Sequence, residues 1–383
     1  MAKGNPFVYG EVVTATAFAD RDEERARLAS DLAEGQKVFL ISPRRYGKSS
    51  LIRGVMTSLA SQRILTVEVT VAASSSYVGF LEAYARALLT ADTPVSALRR
   101  WTADLLKGFR PELRFDAPSA GPPAFSVTFP AIRSARDTAR LAAEVFALPA
   151  RIAAARGQRL AIALDEFQAI AAFDGGSVEQ ALRAAVQQQR DVGYVFAGSE
   201  PSLMEQMLTP RRPFYKAGPV LRLQKIDENL FAHFIERRFS QSGIRPEAGL
   251  GAAIVELAEN VPYDVQRLAH ETWDDARTSG RKSAGLDDLH ATLGRLLDQQ
   301  HTLFEEAWQR LTLAQRAVLR AIVLENGREL LSAGVRQRYR LSAASSVQSA
   351  LAALVRQDIV MKDQGRYLVN DSLYREWMAR RTL

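Results

Sequence analysis

Apolar residues in this chain fall into two kinds of stretch, and their alternation predicts the fold. Val38-Phe39-Leu40-Ile41, Ile64 to Val69, Leu160-Ala161-Ile162-Ala163-Leu164, Tyr194-Val195-Phe196-Ala197 and Val220-Leu221-Arg222-Leu223 read as strands. The uninterrupted runs among them suit parallel strands buried on both faces. Between them, apolar residues recur at helical spacing: Leu51, Ile52, Val55, Met56 and Leu59, then about Val78 to Leu89, then residues 137–155. Strands alternating with helices imply βαβ units. The expected fold class is α/β, with a parallel five-stranded sheet and helices on both faces.

The rest of the pattern changes character. An insertion at about 94–130 is broken by Pro111, Pro118, Pro122 and Pro123, with Leu113–Phe115 and Phe125–Phe129 expected to pair as a small hairpin. From Asp227 to about Gln300 the pattern is all-helical. Phe231, Phe234, Ile235 and Phe239 recur as core, and Pro262 stands near the first turn of a later helix. Residues 302–383 read as a winged helix-turn-helix. Its helices are Leu313 to Leu324, about Ser332 to Arg338, and a third that Ser342 caps and that runs to Gln357, burying Val347, Leu351, Leu354 and Val355. Ile359-Val360-Met361 and Arg366-Tyr367-Leu368-Val369 form the wing through Asp363-Gln364-Gly365, and Leu373 to Arg380 closes the domain. At 383 residues the chain exceeds one hydrophobic core. The expected domains are 1–226, 227–301 and 302–383.

Candidate chemistry clusters at strand ends. Ser42-Pro43-Arg44-Arg45-Tyr46-Gly47-Lys48-Ser49, followed by Ser50, lies between the first strand and the first periodic helix. It matches G-x-x-x-x-G-K-[ST] except that Ser42 replaces the first glycine. In this strand–loop–helix setting, loop amides and the helix dipole face phosphates. Lys48 would bridge the β- and γ-phosphates of ATP, and Ser49 would ligate Mg²⁺. Gly47 lets the backbone come close. Asp165 and Glu166 end the Leu160–Leu164 run. Asp165 would hold Mg²⁺ and Glu166 would orient the attacking water; the plainer alternative is two acids opening a surface loop. Ser199 and Glu200 end the Tyr194 strand, where a polar group can meet the γ-phosphate or its water, or Ser199 can cap the helix near Pro201.

The phosphate loop, Asp165-Glu166-Phe167-Gln168 and Phe196-Ala197-Gly198-Ser199 resemble the archaeal-type ATPases, a prokaryotic branch of the AAA+/STAND P-loop ATPases. That resemblance covers essentially the whole chain. It implies an adenine pocket lined by the segment holding Phe7-Val8-Tyr9-Gly10 and Phe18-Ala19-Asp20-Arg21-Asp22-Glu23-Glu24, with Phe7 and Tyr9 as contacts. It also implies a sensor 1 role for Ser199, a helical lid over the nucleotide and a C-terminal winged helix. Arg211 or Arg212 would reach a neighbouring subunit's γ-phosphate, the alternative being a hydrated surface pair. Arg44 and Arg45 would steer nucleotide. At sensor 2 the chain departs from the family: Asn260 stands for its glycine, Tyr263 for its arginine, and Arg267 lies one turn on.

Composition narrows the classes. Hydrophobic content of 47% with 24% charged residues is ordinary globular usage. There is no cysteine, which excludes disulfides, thiol chemistry and Cys-ligated metals. The four histidines have no zinc spacing, and His233 and His270 read as half-buried helix residues. No apolar run approaches the ~18 residues of a membrane span, and no secretory segment follows Met1. A soluble, cytoplasmic protein is expected. Net charge is +7, and residues 302–383 carry 13 Lys/Arg against 8 Asp/Glu. The excess points to duplex DNA. Ser345, Ser346, Gln348 and Ser349 would face the major groove, with Arg336, Arg338, Arg340, Lys362 and Arg366 on phosphates. Two readings stand: a Mg²⁺-dependent ATPase working on DNA through its winged helix, and a STAND-like switch whose winged helix docks a protein. A trans arginine would require a homo-oligomer.

Overall fold

The computed structural model describes residues 4–11, 21–92, 112–115, 125–129, 132, 134–173, 176–363 and 365–382. They form two compact units: one lies within Val12–Gln224, and the other joins residues up to Glu11 with those from Lys225 onward.

The first unit is built on the expected α/β sheet. Its strands are β1 (Lys37–Ile41), β2 (Leu65–Thr70), β5 (Leu160–Asp165), β6 (Val192–Gly198) and β7 (Val220–Arg222), and the hairpin β3 (Glu112–Phe115) with β4 (Phe125–Thr128) stands apart. The sheet order is β2-β5-β6-β1-β7, and every pairing is parallel. Every residue of β6 is buried, as an uninterrupted apolar run between two neighbours requires. The two sheet faces carry different residues. Phe39, Ile162, Leu164, Tyr194 and Phe196 pack on helices Tyr77–Asp92, Ala135–Arg156 and Ser177–Gln188. Val38, Leu40, Ala161, Ala163 and Ala197 meet helices Asp22–Ala33 and Lys48–Ser61. Alanines on that second face leave room for helix Lys48–Ser61 against the sheet. Each large side chain so buried contributes roughly 1.5–3 kcal/mol. At Gly193 a Cβ would sit 2.2 Å from the Leu32 carbonyl oxygen, so only glycine lets the first helix pass there.

The expected hairpin forms, with Leu113 opposite Val127. The remainder of the 94–130 insertion, apart from Phe129, lies outside the described residues, as do Phe18, Ala19 and Asp20.

The second unit corrects several expectations. Residues 4–11 belong to it and not to the sheet domain, because Phe7 is buried against Phe239 at 4.9 Å between ring centres. Asn5 donates to the His270 carbonyl at 3.0 Å, and the His270 Nδ1 lies 2.7 Å from the Phe7 carbonyl oxygen. The helices are Glu228–Ser242, Leu250–Leu257, Pro262–Thr278 and Leu286–Gln309. A two-residue parallel pairing, β8 (Arg245–Pro246) with β9 (Ser283–Ala284), interrupts the expected all-helical stretch. Helix Leu286–Gln309 runs unbroken through the expected boundary at 301/302. The winged helix follows: helices Leu313–Leu324, Ala333–Arg338 and Ala344–Arg356, the antiparallel wing β10 (Val360–Asp363) and β11 (Arg366–Val369), and helix Ser372–Thr382.

Gln364 lies outside the described residues. The third helix begins one residue too late for Ser342 to cap it, and Ala343 takes the N-cap without a side-chain bond. Val347, Leu351 and Leu354 are buried as expected, but Val355 is 41% exposed, on the outer side of the helix. His270 is half-buried; His233 is exposed. Among the described residues no helix is long and apolar enough to cross a membrane.

Candidate functional site

The topology assembles the site. Because β6 lies between β1 and β5, the loops leaving the C-terminal ends of all three strands are neighbours, the position where such sheets take ligands. The loop after β1 stays narrow because Ser42, fully buried, extends the β1–β6 ladder: its N–H donates to the Gly198 carbonyl at 3.2 Å, and its hydroxyl to the Pro43 carbonyl at 2.9 Å. A serine therefore serves where the motif expects glycine. The left-handed turns fall instead at Arg45 (φ 68°) and Gly47 (φ 87°). Tyr46 is buried. Gly47 is the N-cap of helix Lys48–Ser61, so the free amides of its first turn, which includes Ser49 and Ser50, open onto the loop.

Lys48, only 6% exposed, forms ion pairs with both Asp165 and Glu166, the latter at 3.2 Å. The Ser49 hydroxyl donates to Asp165 Oδ2 at 3.3 Å. Glu166 takes a left-handed backbone (φ 51°) that turns it back over the strand end. Its Oε2 accepts from Ser199 at 2.5 Å and from the Gln168 amide at 2.6 Å. Burial pushes the Glu166 carboxyl up, but the Ser199 hydroxyl, the Lys48 charge and the Gln168 amide outweigh it and hold the group below its ordinary value. Sequence reasoning singled out Lys48, Ser49, Asp165, Glu166 and Ser199, and the fold brings them together. A hydroxyl and a carboxylate at Ser49 and Asp165 are the hard oxygen donors Mg²⁺ prefers. Among the described residues no group of three or more His, Asp or Glu could hold a metal alone.

Comparison with known proteins bears on this geometry. Residues 302–380 match the family model described as "Probable winged helix domain". No curated protein matches the chain. A Walker-type ATPase of Pyrococcus abyssi is 16% identical over 98% of this chain and 99% of its own, with a TM-score of 0.63. The Aeropyrum pernix ORC2 protein, solved in ADPNP–ADP complexes, is 16% identical over 98% and 95%, with a TM-score of 0.53. The Aeropyrum pernix ORC1 protein in complex with DNA is 14% identical over 96% and 95%, with a TM-score of 0.52. This chain has the fold of a P-loop ATPase with a C-terminal winged helix.

Within that P-loop ATPase fold the remaining expected residues separate. Arg212 forms an ion pair at 2.6 Å with Glu179, which is fully buried, whereas Arg211 is exposed at φ 76°. Arg44 reaches Glu200 at 3.8 Å, and Arg45 is exposed. Phe7 and Tyr9 pack within the second unit: the Tyr9 hydroxyl donates to Glu271 at 2.6 Å, and its ring lies edge-on to Tyr263 and His270. Burial first, then the Glu271 bond, push the Tyr9 hydroxyl up to about 12, with Arg267 opposing. Asn260 does the conformational work of the glycine it replaces, at φ 55°, and its amide donates to the Ile226 carbonyl at 2.7 Å.

In the winged helix Ser345, Ser346, Gln348 and Ser349 are exposed, as are Arg340 and Lys362. The other three expected phosphate contacts are engaged. Arg338 pairs with Glu325 at 2.5 Å, Arg336 donates to the Leu331 carbonyl at 3.2 Å and Arg366 to the Asn326 carbonyl at 3.1 Å. Sequence reasoning gave no role to Glu179 or Gln168. An acid in the first turn of a helix ordinarily faces water, whereas Glu179 is buried and paired with Arg212.

Proposed function

We propose that this protein binds ATP with Mg²⁺, hydrolyses it, and couples nucleotide state to duplex DNA held by its winged helix. The observation that carries the reading is the convergence of Lys48, Ser49, Asp165, Glu166 and Ser199 at three adjacent strand ends. Lys48, held by two carboxylates, would exchange them for the β- and γ-phosphates while first-turn amides take further phosphate oxygens. Ser49 and Asp165 would hold Mg²⁺, which when bound neutralises charge on the phosphate oxygens. Freed from Lys48, Glu166 Oε1 would accept a hydrogen bond from the attacking water and polarise it, and Ser199 would keep the carboxylate aimed. Arg211, exposed and outside the Glu179 pair, is the better candidate of the two arginines for a neighbouring subunit's phosphate.

The test separates binding from turnover. Lys48→Ala should lower ATP affinity at least ~100-fold by calorimetry, since a charge-assisted phosphate contact is lost. Glu166→Gln should keep ATP affinity while phosphate release falls on the order of 10³-fold. Wild-type turnover in Glu166→Gln would sink the assignment.

For DNA the support is the fold and the local basic excess. A protein-docking role for the winged helix is favoured by a different observation: helix Ala344–Arg356 exposes serines and Gln348 and carries no cation before Arg356. A gel-shift assay at low salt, with and without ATP, decides between them.

A further inference from the structure

The chain places Gln168 two residues beyond Glu166, in the 3₁₀ turn Phe167–Ala172, where its side chain is 7% exposed. Buried amides are ordinarily spent on backbone groups. This one is spent on two carboxylates: Nε2 donates to Glu166 Oε2 at 2.6 Å and lies 3.4 Å from Glu200 Oε1. Its own Oε1 is buried with no partner among the described residues. The orientation is forced, because turning the amide over would set Oε1 against a carboxylate. Space is reserved for it too. A Cβ on Gly198 would come within about 2.4 Å of the Met204 side chain and 2.6 Å of Gln168 Oε1, so the glycine ending β6 leaves room for both.

These contacts make the two oxygens of Glu166 unequal. Among the described residues Oε2 takes two donors, from Ser199 and Gln168, whereas Oε1 takes only Lys48 at 3.2 Å. When Lys48 turns to phosphate, Oε1 alone is left uncommitted. We infer that Gln168 is a positioning residue which, with Ser199, pins Oε2 of Glu166 so that Oε1 faces the attacking water. The inference rests on the proposed role of Glu166. A carboxylate free to rotate would spend part of its time with neither oxygen aimed, and loss of aim lowers turnover without weakening substrate binding.

The test replaces Gln168 with Met, which keeps length and volume but cannot donate. Gln168→Asn, which withdraws the amide by one methylene, is the second variant should Met disturb folding. Steady-state kinetics of ATP hydrolysis, ATP affinity by calorimetry and the melting temperature are measured on the full chain. The expected result is kcat lowered roughly 10- to 100-fold, with KM and ATP affinity within about twofold of wild type. A second readout needs no turnover. In nucleotide-free protein, Gln168→Met and Glu166→Gln should combine non-additively in melting temperature, because one removes and the other weakens the same charge-assisted contact. Unchanged kcat, additive melting shifts, or a fall in affinity matching the fall in kcat would each overturn the inference. Glu166→Gln is run alongside. If it keeps wild-type turnover, the role of Glu166 fails; if it is inactive while Gln168→Met is not, only the role of Gln168 fails.

Discussion

Glu179 is fully buried in the first turn of helix Ser177–Gln188, and its one charged partner among the described residues is Arg212, itself 39% exposed. Burial pushes the Glu179 carboxyl up, and Arg212 pulls it partly back. Its folded-state pKa therefore lies above the unfolded one, so folding opposes its ionisation, and that cost grows as pH rises through the carboxylate range. Arg212→Ala should destabilise the protein by about 2 kcal/mol at neutral pH, a buried-pair loss discounted for the exposure of the arginine. The loss measured by urea unfolding should shrink toward pH 4, and Glu179→Gln in the same background should recover most of it. Arg211→Ala should leave unfolding unchanged. At this scale the meeting of the Ser42–Ser49 loop with the acidic strand end was legible because both carry fixed residue types at fixed spacing beside apolar strands. Gln168 and Glu179 were not, because their neighbours, Gly198, Ser199 and Glu200 for the one and Arg212 for the other, are distant in sequence.

Among elements, the segment holding Phe7 and Tyr9 gives the clearest departure from sequence reasoning. Strands buried on both faces betray themselves as apolar runs, and the wing and its helices kept nearly their expected bounds. A short extended segment with one phenylalanine carries no period, so nothing local says which surface receives it. Phe7→Ala should cost about 3 kcal/mol, as for a ring removed from a close-packed core, read from denaturant unfolding. Glu271 adds a pH dependence. Burial raises its carboxyl, but bonds from Arg295 and Tyr9 outweigh that and hold it below the ordinary value. Its contribution is therefore complete above the usual carboxylate range and is lost as pH falls through the lowered folded value. Glu271→Gln should flatten the acid limb of the stability curve, as checked by thermal melting from pH 3 to 7.

Over the whole molecule, the basic excess of residues 302–383 makes a prediction that no single side chain carries. If the winged helix holds duplex DNA, affinity should fall steeply with salt as counterions are released. Changing Arg336, Arg338 and Arg340 together to Ala should weaken binding on every sequence and reduce the salt slope by up to about three, one per phosphate contact. Arg338→Ala alone should do least, because Glu325 already occupies that guanidinium. Binding unaffected by the triple change would move the winged helix to the protein-docking reading.

The segment at residues 4–11 also sets a timetable for biosynthesis. Asn5 precedes His270, whose carbonyl it holds, by 265 positions. At ribosomal speeds of ~5–20 residues per second, Phe7 waits roughly 12–46 s for Phe239, which covers it. Throughout that interval a nascent chain trails an uncovered ring that chaperones or neighbouring chains can seize. A fragment stopped at Gln224 would never lose that liability, and light scattering should find it less prone to clump once Phe7 is replaced by Ser.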